Sequence, residues 1–284
     1  MSRRMMWIVF AIGCHQQSAP SVPPPGAMPV TQAPSDIDRG RYVATIAGCM
    51  ACHGKTLAGG KDEKLPNGGV WRSPNITPDP ATGIGMWTDD EISAAIRQGV
   101  RPDHKRLIPI MPYPFYHRMT DADAKAVVAF LRVQPAVERR VARSEHVQMQ
   151  PVELAPPIDN KDPVDDKRGH GAYLASLMHC AACHGGDFAG GEAFEVAGIG
   201  EVVAANITSD PDTGVGKWSE QDIVLALRTM MNPHGLQIRP PMAYYIDAWS
   251  QLRDYDAISV AAFVKTIPPV HRQIEGAHTV TQTP

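Results

Sequence analysis

The sequence repeats itself at an offset of 131 residues, and this constrains the fold more than any other feature. Gly40 meets Gly171 and Tyr42 meets Tyr173. Ala58-Gly59-Gly60 meets Ala189-Gly190-Gly191, and Asn75-Ile76-Thr77 meets Asn206-Ile207-Thr208. Trp87, Arg97, Pro109 and Met111 meet Trp218, Arg228, Pro240 and Met242. No gap is needed from Gly40 to Met111; beyond it the copies drift by two residues, so that Phe130 pairs with Phe263. One unit of about 100 residues, present twice, predicts two domains and a linker rather than a solenoid of many short repeats. The boundaries read as 35–133 and 166–284, with a Pro-containing linker at 134–165 lying over the domain surface.

Helix signals recur with the repeat. Ser35-Asp36 precedes a helix over 37–47, and Asp166 leads into one over 169–178. Thr88-Asp89-Asp90-Glu91 is a capping box before a helix over 92–98, and Ser219-Glu220-Gln221-Asp222 opens its counterpart, through Arg228. A third helix begins at Thr120-Asp121 and is matched over 254–267. Alternating strand patterns are nearly absent. Gly (24) and Pro (26) make up 50 of the 284 residues, so loops are long and regular elements short. Each unit is therefore expected to be all-α. Aromatic residues are only 6%, thin for two self-sufficient cores, so each unit needs another core component.

The cysteines supply it. Of five, four form Cys49-Met50-Ala51-Cys52-His53 and Cys180-Ala181-Ala182-Cys183-His184, and Cys14 stands alone. An odd count does not suit a disulfide framework, whereas Cys-x-x-Cys-His is the attachment signature of c-type haem. Two thiols one helical turn apart reach both vinyl groups along one porphyrin edge, and the following His lies beneath the iron. A thioredoxin-like pair would need a βαβ context, and a zinc site would need the two pairs together rather than 131 residues apart. Two covalently bound haems are expected. The sixth ligand is expected from Met111 and Met242, each 58 residues after its His and each in a Pro-rich loop. Met86, Met119, Met178, Met230 and Met231 have no counterpart Met in the other copy. His104, His117, His170, His179 and His234 are likewise unmatched and read as surface or supporting groups.

The repeated loops at 75–87 and 206–218 carry Gly and Asn suited to positive-φ turns. Trp87 and Trp218 are expected to cover the haem edge. Arg97 and Arg228 read either as partners of haem propionates or as a solvated helix face. Each axial His needs an acceptor for its second ring nitrogen; the carbonyl of Pro66 is one candidate, with Ala197 at the matching place.

At the N-terminus, Ser2-Arg3-Arg4 and an apolar run to Gly13 read as a signal peptide over 1–14, too short to span a membrane. It ends at Cys14 in a lipobox-like context, which makes Cys14 a candidate lipid anchor; a free thiol is the alternative. Residues 15–34 hold six prolines and read as an extended tether. Charge nearly balances, 27 Lys and Arg against 30 Asp and Glu, which gives nucleic-acid binding no support.

Each unit resembles a class I cytochrome c domain. The Asn-Ile-Thr-x-Asp-x-x-Thr-Gly-x-Gly-x-Trp stretch, with Cys-x-x-Cys-His before it and Pro-x-Met after it, is similar to the cytochrome c subunits of bacterial membrane-bound alcohol, gluconate and sugar dehydrogenases. Such subunits carry three haem modules; two are counted here. The resemblance implies attachment at Cys49, Cys52, Cys180 and Cys183, and axial roles for His53, Met111, His184 and Met242. The expected protein is a dihaem electron carrier, periplasmic or lipid-anchored on the outer side of the bacterial cytoplasmic membrane, between redox partners such as a dehydrogenase, a soluble cytochrome or an oxidase. Two other readings are a dihaem oxidoreductase of peroxidase or thiosulfate-oxidising type, with one open or non-Met iron, and a lipoprotein whose haems tune a sensor.

Overall fold

Ser35 starts the first helix of the computed structural model, which describes residues 35–65, 68–154, 162–196 and 199–274. Its hydroxyl accepts from the Asp38 amide and so caps α1 (Asp36–Ile46). A short α2 (Cys49–His53) follows, then a hairpin of β1 (Asp62–Lys64) and β2 (Val70–Arg72), then α3 (Asp89–Gln98), α4 (Tyr113–Tyr116) and α5 (Asp121–Arg132). The second copy repeats the order. It runs α6 (Lys167–Leu177), α7 (Ala181–His184), β3 (Ala193–Val196), β4 (Gly200–Val203) and α8 (Glu220–Thr229). A 3₁₀ turn (Met242–Tyr245) then leads into α9 (Ile246–Trp249) and α10 (Asp254–Val264). The predicted capping box is formed, Thr88 exchanging bonds with Glu91, and the start of the counterpart helix proves to be a second one, Ser219 exchanging bonds with Asp222.

The two hairpins depart from the all-α expectation. They are antiparallel, pairing Glu63 with Trp71 and Phe194 with Val202. Strands of three or four residues are too short for alternation to register in the sequence.

In each copy the first helix crosses the last at a glycine. A Cβ at Gly40 would lie 1.8 Å from the Ala126 carbonyl oxygen, and one at Gly171 would lie 1.9 Å from that of Ser259. Helix-interior glycine costs about 1 kcal/mol relative to Ala, and here it admits the backbone of the partner helix. The described residues form one compact unit, and the apolar core runs through both copies. Val43, Ile46, Val127 and Leu131 from the first join Leu174, Leu177, Val260 and Val264 from the second.

The residues after α5 and after α10 do the same work. Asn75 Nδ2 donates to the Val137 carbonyl at 2.7 Å, and Asn206 Nδ2 to that of Val270 at 2.8 Å. The Arg139 amide donates to Thr82 Oγ1 at 2.9 Å, and the Arg272 amide to Thr213 Oγ1 at 3.1 Å. The start of the linker is thus tied to the first copy as the C-terminal segment is tied to the second. Further on, Glu145 bridges Val70, and Val152 bonds the Tyr113 hydroxyl, so this part of the linker also lies on the first copy. Residues 1–34, including Cys14, lie outside the described residues, as do Pro66 and Ala197. Among the described residues no helix is long and apolar enough to cross a membrane.

Candidate functional site

The two Cys-His motifs are built alike. In the first, α2 places Cys49 and Cys52 one turn apart and His53 next to them, buried. In the second, Cys180 caps α7, which carries Cys183 and His184. Burial pushes the thiols of Cys49 and Cys180 up to about 12, with the neighbouring Cys of each pair adding to it. Among the described residues no group of three or more His, Cys, Asp or Glu comes together to hold a metal ion.

His53 Nδ1 pairs with the Pro74 carbonyl at 2.8 Å, and His184 Nδ1 with the Ala205 carbonyl at 2.8 Å. A carbonyl only accepts, so Nδ1 carries the proton in each ring and Nε2 keeps its lone pair. Burial lowers both imidazoles, which favours this neutral form, and the bond to the carbonyl opposes it. The acceptors are therefore Pro74 and Ala205, not Pro66 and Ala197. Each stands 21 residues past its His and directly before the repeated Asn, a spacing visible in the sequence.

The loops that supply these carbonyls are fixed by their own side chains. Asn75 Oδ1 accepts from the Thr77 amide at 2.9 Å and Asp79 Oδ1 from the Thr82 amide at 2.6 Å; Asn206 and Asp210 repeat the pattern with Thr208 and Thr213. Bonds from Thr82 hold the Asp79 carboxyl below the usual range, and bonds from Thr213 do the same for Asp210. The loop glycines serve close approach rather than positive φ. A Cβ at Gly83 would sit 2.2 Å from the Thr77 carbonyl oxygen, and neither Gly83 nor Gly85 has positive φ.

Several apolar side chains pack against the core yet stay partly exposed: Ile76, Trp87, Ile96 and Met111 in the first copy, and Ile207, Trp218, Ile238 and Met242 in the second. Each leaves apolar surface that a bound flat apolar group could cover. Arg97 is not on a solvated face; it is 5% exposed and bonds Asp121, at the start of α5. Arg228 bonds Asp254, at the start of α10, at 2.8 Å, and the Leu252 carbonyl. Met119, Met178 and Met230 are core, and Met86 is exposed.

His170 is a correction to the surface reading: it is buried between two carboxylates. Its Nδ1 meets Asp162 and its Nε2 meets Asp256, both at 2.7 Å. Burial works against its charge, and the bonds to Asp162 and Asp256 outweigh burial, raising it to about 9. Arg39 holds the matching place in the first copy and bonds Asp123. Each carboxylate is then completed by a tyrosine from the other copy: Tyr42 donates to Asp256, and Tyr173 to Asp123 at 2.5 Å. Their pairing at 131 was visible in the sequence, but nothing there gave them a partner. The cavity of about 260 Å³ at this junction is lined by these groups, and none of its lining residues belongs to either Cys-His motif.

Comparison with known proteins agrees with this geometry. The family profile described as cytochrome c matches residues 37–134. The chain is 32% identical over 289 residues to the fructose dehydrogenase cytochrome subunit of Gluconobacter japonicus, covering 93% of this chain and 58% of that one. It is 34% identical to the cytochrome c subunit of the quinone alcohol dehydrogenase of Gluconobacter oxydans, covering 82% and 55%. It is 26% identical to a diheme cytochrome c-type protein of Cereibacter sphaeroides, covering 83% and 87%. The chain thus spans little more than half the length of the two dehydrogenase subunits.

Proposed function

Since the chain belongs to the cytochrome c family, with a cytochrome c domain that implies covalently bound c-type haem, we propose that it carries two such haems and works as a single-electron carrier. It would serve a bacterial dehydrogenase complex, as the names of its relatives suggest, and would do so at the outer face of the membrane. Each repeat copy would be one haem domain. Cys49 and Cys52 would form the thioethers of one haem, and Cys180 and Cys183 those of the other. His53 and Met111 would ligate the first iron, and His184 and Met242 the second. Cys14 would be the site of acylation, with residues 15–34 as the tether.

The observation that carries this reading is the pair of identical imidazole bonds, 2.8 Å from Nδ1 to the carbonyls of Pro74 and Ala205. Each bond sets the tautomer and aims an unprotonated Nε2 away from the loop. Bound haem supplies a reversible one-electron couple. The chain's own part is to hold each imidazole in one orientation, to bring Met111 or Met242 from a Pro-restrained loop, and to shield the ring with Trp87 or Trp218. A thioether ligand favours the ferrous form and raises the potential. Arg97 and Arg228 would keep the helices behind these loops in register through Asp121 and Asp254. No side chain is asked to make or break a bond, so the chain would not itself turn over substrate.

Mass analysis of the denatured purified protein tests the count: two haems must stay attached, one must remain in C49A/C52A and one in C180A/C183A, and an added acyl mass must map to Cys14. Redox titration tests the ligands: M111H and M242H should each lower one potential and leave the other in place. A single haem, or potentials indifferent to both variants, contradicts the proposal.

A further inference from the structure

This inference rests on the two-haem reading above and concerns what lies between the sites. Residues 48 and 179 occupy the same place in the two copies, directly before the first cysteine. The first copy has Gly48 there, at φ +76°; the second has His179, at φ +46°. That backbone suits glycine and is strained for a residue with a Cβ, so its surroundings must hold His179 in place.

Those surroundings are aromatic. His179 Nε2 and the Tyr245 hydroxyl are 3.0 Å apart. The imidazole meets the Tyr245 ring edge-on, with centroids 5.3 Å apart, and meets Tyr116 edge-on at 6.3 Å. Tyr245 in turn stacks on Trp249 at 4.8 Å. On the first copy's side the Tyr245 ring lies against Gly48: a Cβ there would be 2.8 Å from Tyr245 Cε1. Trp249 Nε1 donates to the Ile46 carbonyl at 3.2 Å, and the Tyr116 hydroxyl to that of Ala47. The cluster is therefore pinned to the backbone entering the first motif and, through His179, to the backbone entering the second. Glycine at 48 makes room for the ring, and histidine at 179 grips it.

We propose that Tyr245 and His179 position the two haems with their cysteine-bearing edges facing each other, and form the packed contact across which an electron passes between them. The step balances as one electron leaving one iron and arriving at the other; no proton moves and no bond breaks. Close packing matters because a void at this place would leave the two edges without bridging atoms.

The test uses the purified holoprotein, partly reduced by a fast pulse, with equilibration between the two sites followed optically. Y245L should slow that equilibration by about tenfold, while Y245F, which keeps the ring, should stay close to the parent. H179G gives the backbone the residue its φ favours, so the fold should hold while the rate falls by about threefold. Both midpoint potentials should be unchanged in all three. Soret-region circular dichroism, which reports the mutual orientation of the two haems, should change in Y245L and not in Y245F. Parent-like rates in both Y245L and H179G, with two haems attached, overturn the bridge. A wild-type mass with one haem instead overturns the two-haem reading beneath it.

Discussion

The two copies share a framework and differ where they meet. In the first, Arg39 on α1 bonds Asp123 on α5; in the second, His170 on α6 bonds Asp256 on α10. A tyrosine from the opposite copy completes each carboxylate, Tyr173 for Asp123 and Tyr42 for Asp256. The tyrosines keep the junction two-fold in kind, whereas its charges are not. One half is held by a guanidinium that stays charged at any working pH, the other by an imidazole that loses its proton on the alkaline side, at about 9. The same divergence occurs at Gly48 and His179. At the junction the tyrosines and carboxylates recur in both copies, whereas Arg39 and His170, and Gly48 and His179, do not match.

The comparison can be broken at four points. The largest effect is expected at the helix crossings. G40A and G171A each force a methyl into a backbone carbonyl and should each cost about 2–3 kcal/mol in denaturant unfolding of the holoprotein. Loss in only one copy would show that the crossings are not equivalent. Next come the tyrosines. Y42F and Y173F each remove a bond to a buried carboxylate and should cost about 1.5–3 kcal/mol. Each hydroxyl also accepts from the amide that opens the other copy's last helix, Tyr42 from Arg253 and Tyr173 from Thr120, both at 3.3 Å; Y42F should cost more, because Arg253 provides no side-chain cap, whereas Thr120 caps α5 itself.

The third point is pH. His170 is raised to about 9 in the folded state, above the ordinary value of about 6.5. A raised group contributes its stability fully below its unfolded value and loses it as pH rises through the folded one. The groups facing His170 are Asp162, Asp256 and the Tyr255 ring, which stacks on it at 5.5 Å. The thermal midpoint should therefore fall progressively between about pH 6.5 and 9, and H170R, which copies the Arg39 arrangement, should flatten that fall. An unchanged slope in H170R would show that the titration lies elsewhere. The smallest effect belongs to the caps: T88A and S219A should each cost about 1 kcal/mol, alike in the two copies.

Much of this was legible in the sequence because a repeat reads twice. Three helices in each copy, the Thr88 capping box and both Cys-His motifs followed from local pattern, and the offset of 131 marked what had to be structurally equivalent; the short α4 and α9 did not. What escaped was long-range. The acceptors for His53 and His184 are main-chain carbonyls, and a carbonyl has no residue-type signature; only the spacing to Asn75 and Asn206 could have pointed to Pro74 and Ala205. The hairpins were too short to show a period. His170 and His179 read as surface groups because neither has a counterpart in the other copy, and their burial depends on Asp256 and Tyr245, each more than sixty residues away in the chain.

The central claim is two covalent haems, each held by one His and one Met. Low-temperature electron paramagnetic resonance of the fully oxidised holoprotein tests it most directly. Two low-spin ferric signals of His/Met type, one lost in M111H and the other in M242H, are the predicted result. A high-spin centre, or a bis-His signal in the unmodified protein, would contradict it and return an open or differently ligated iron to the second copy or the first.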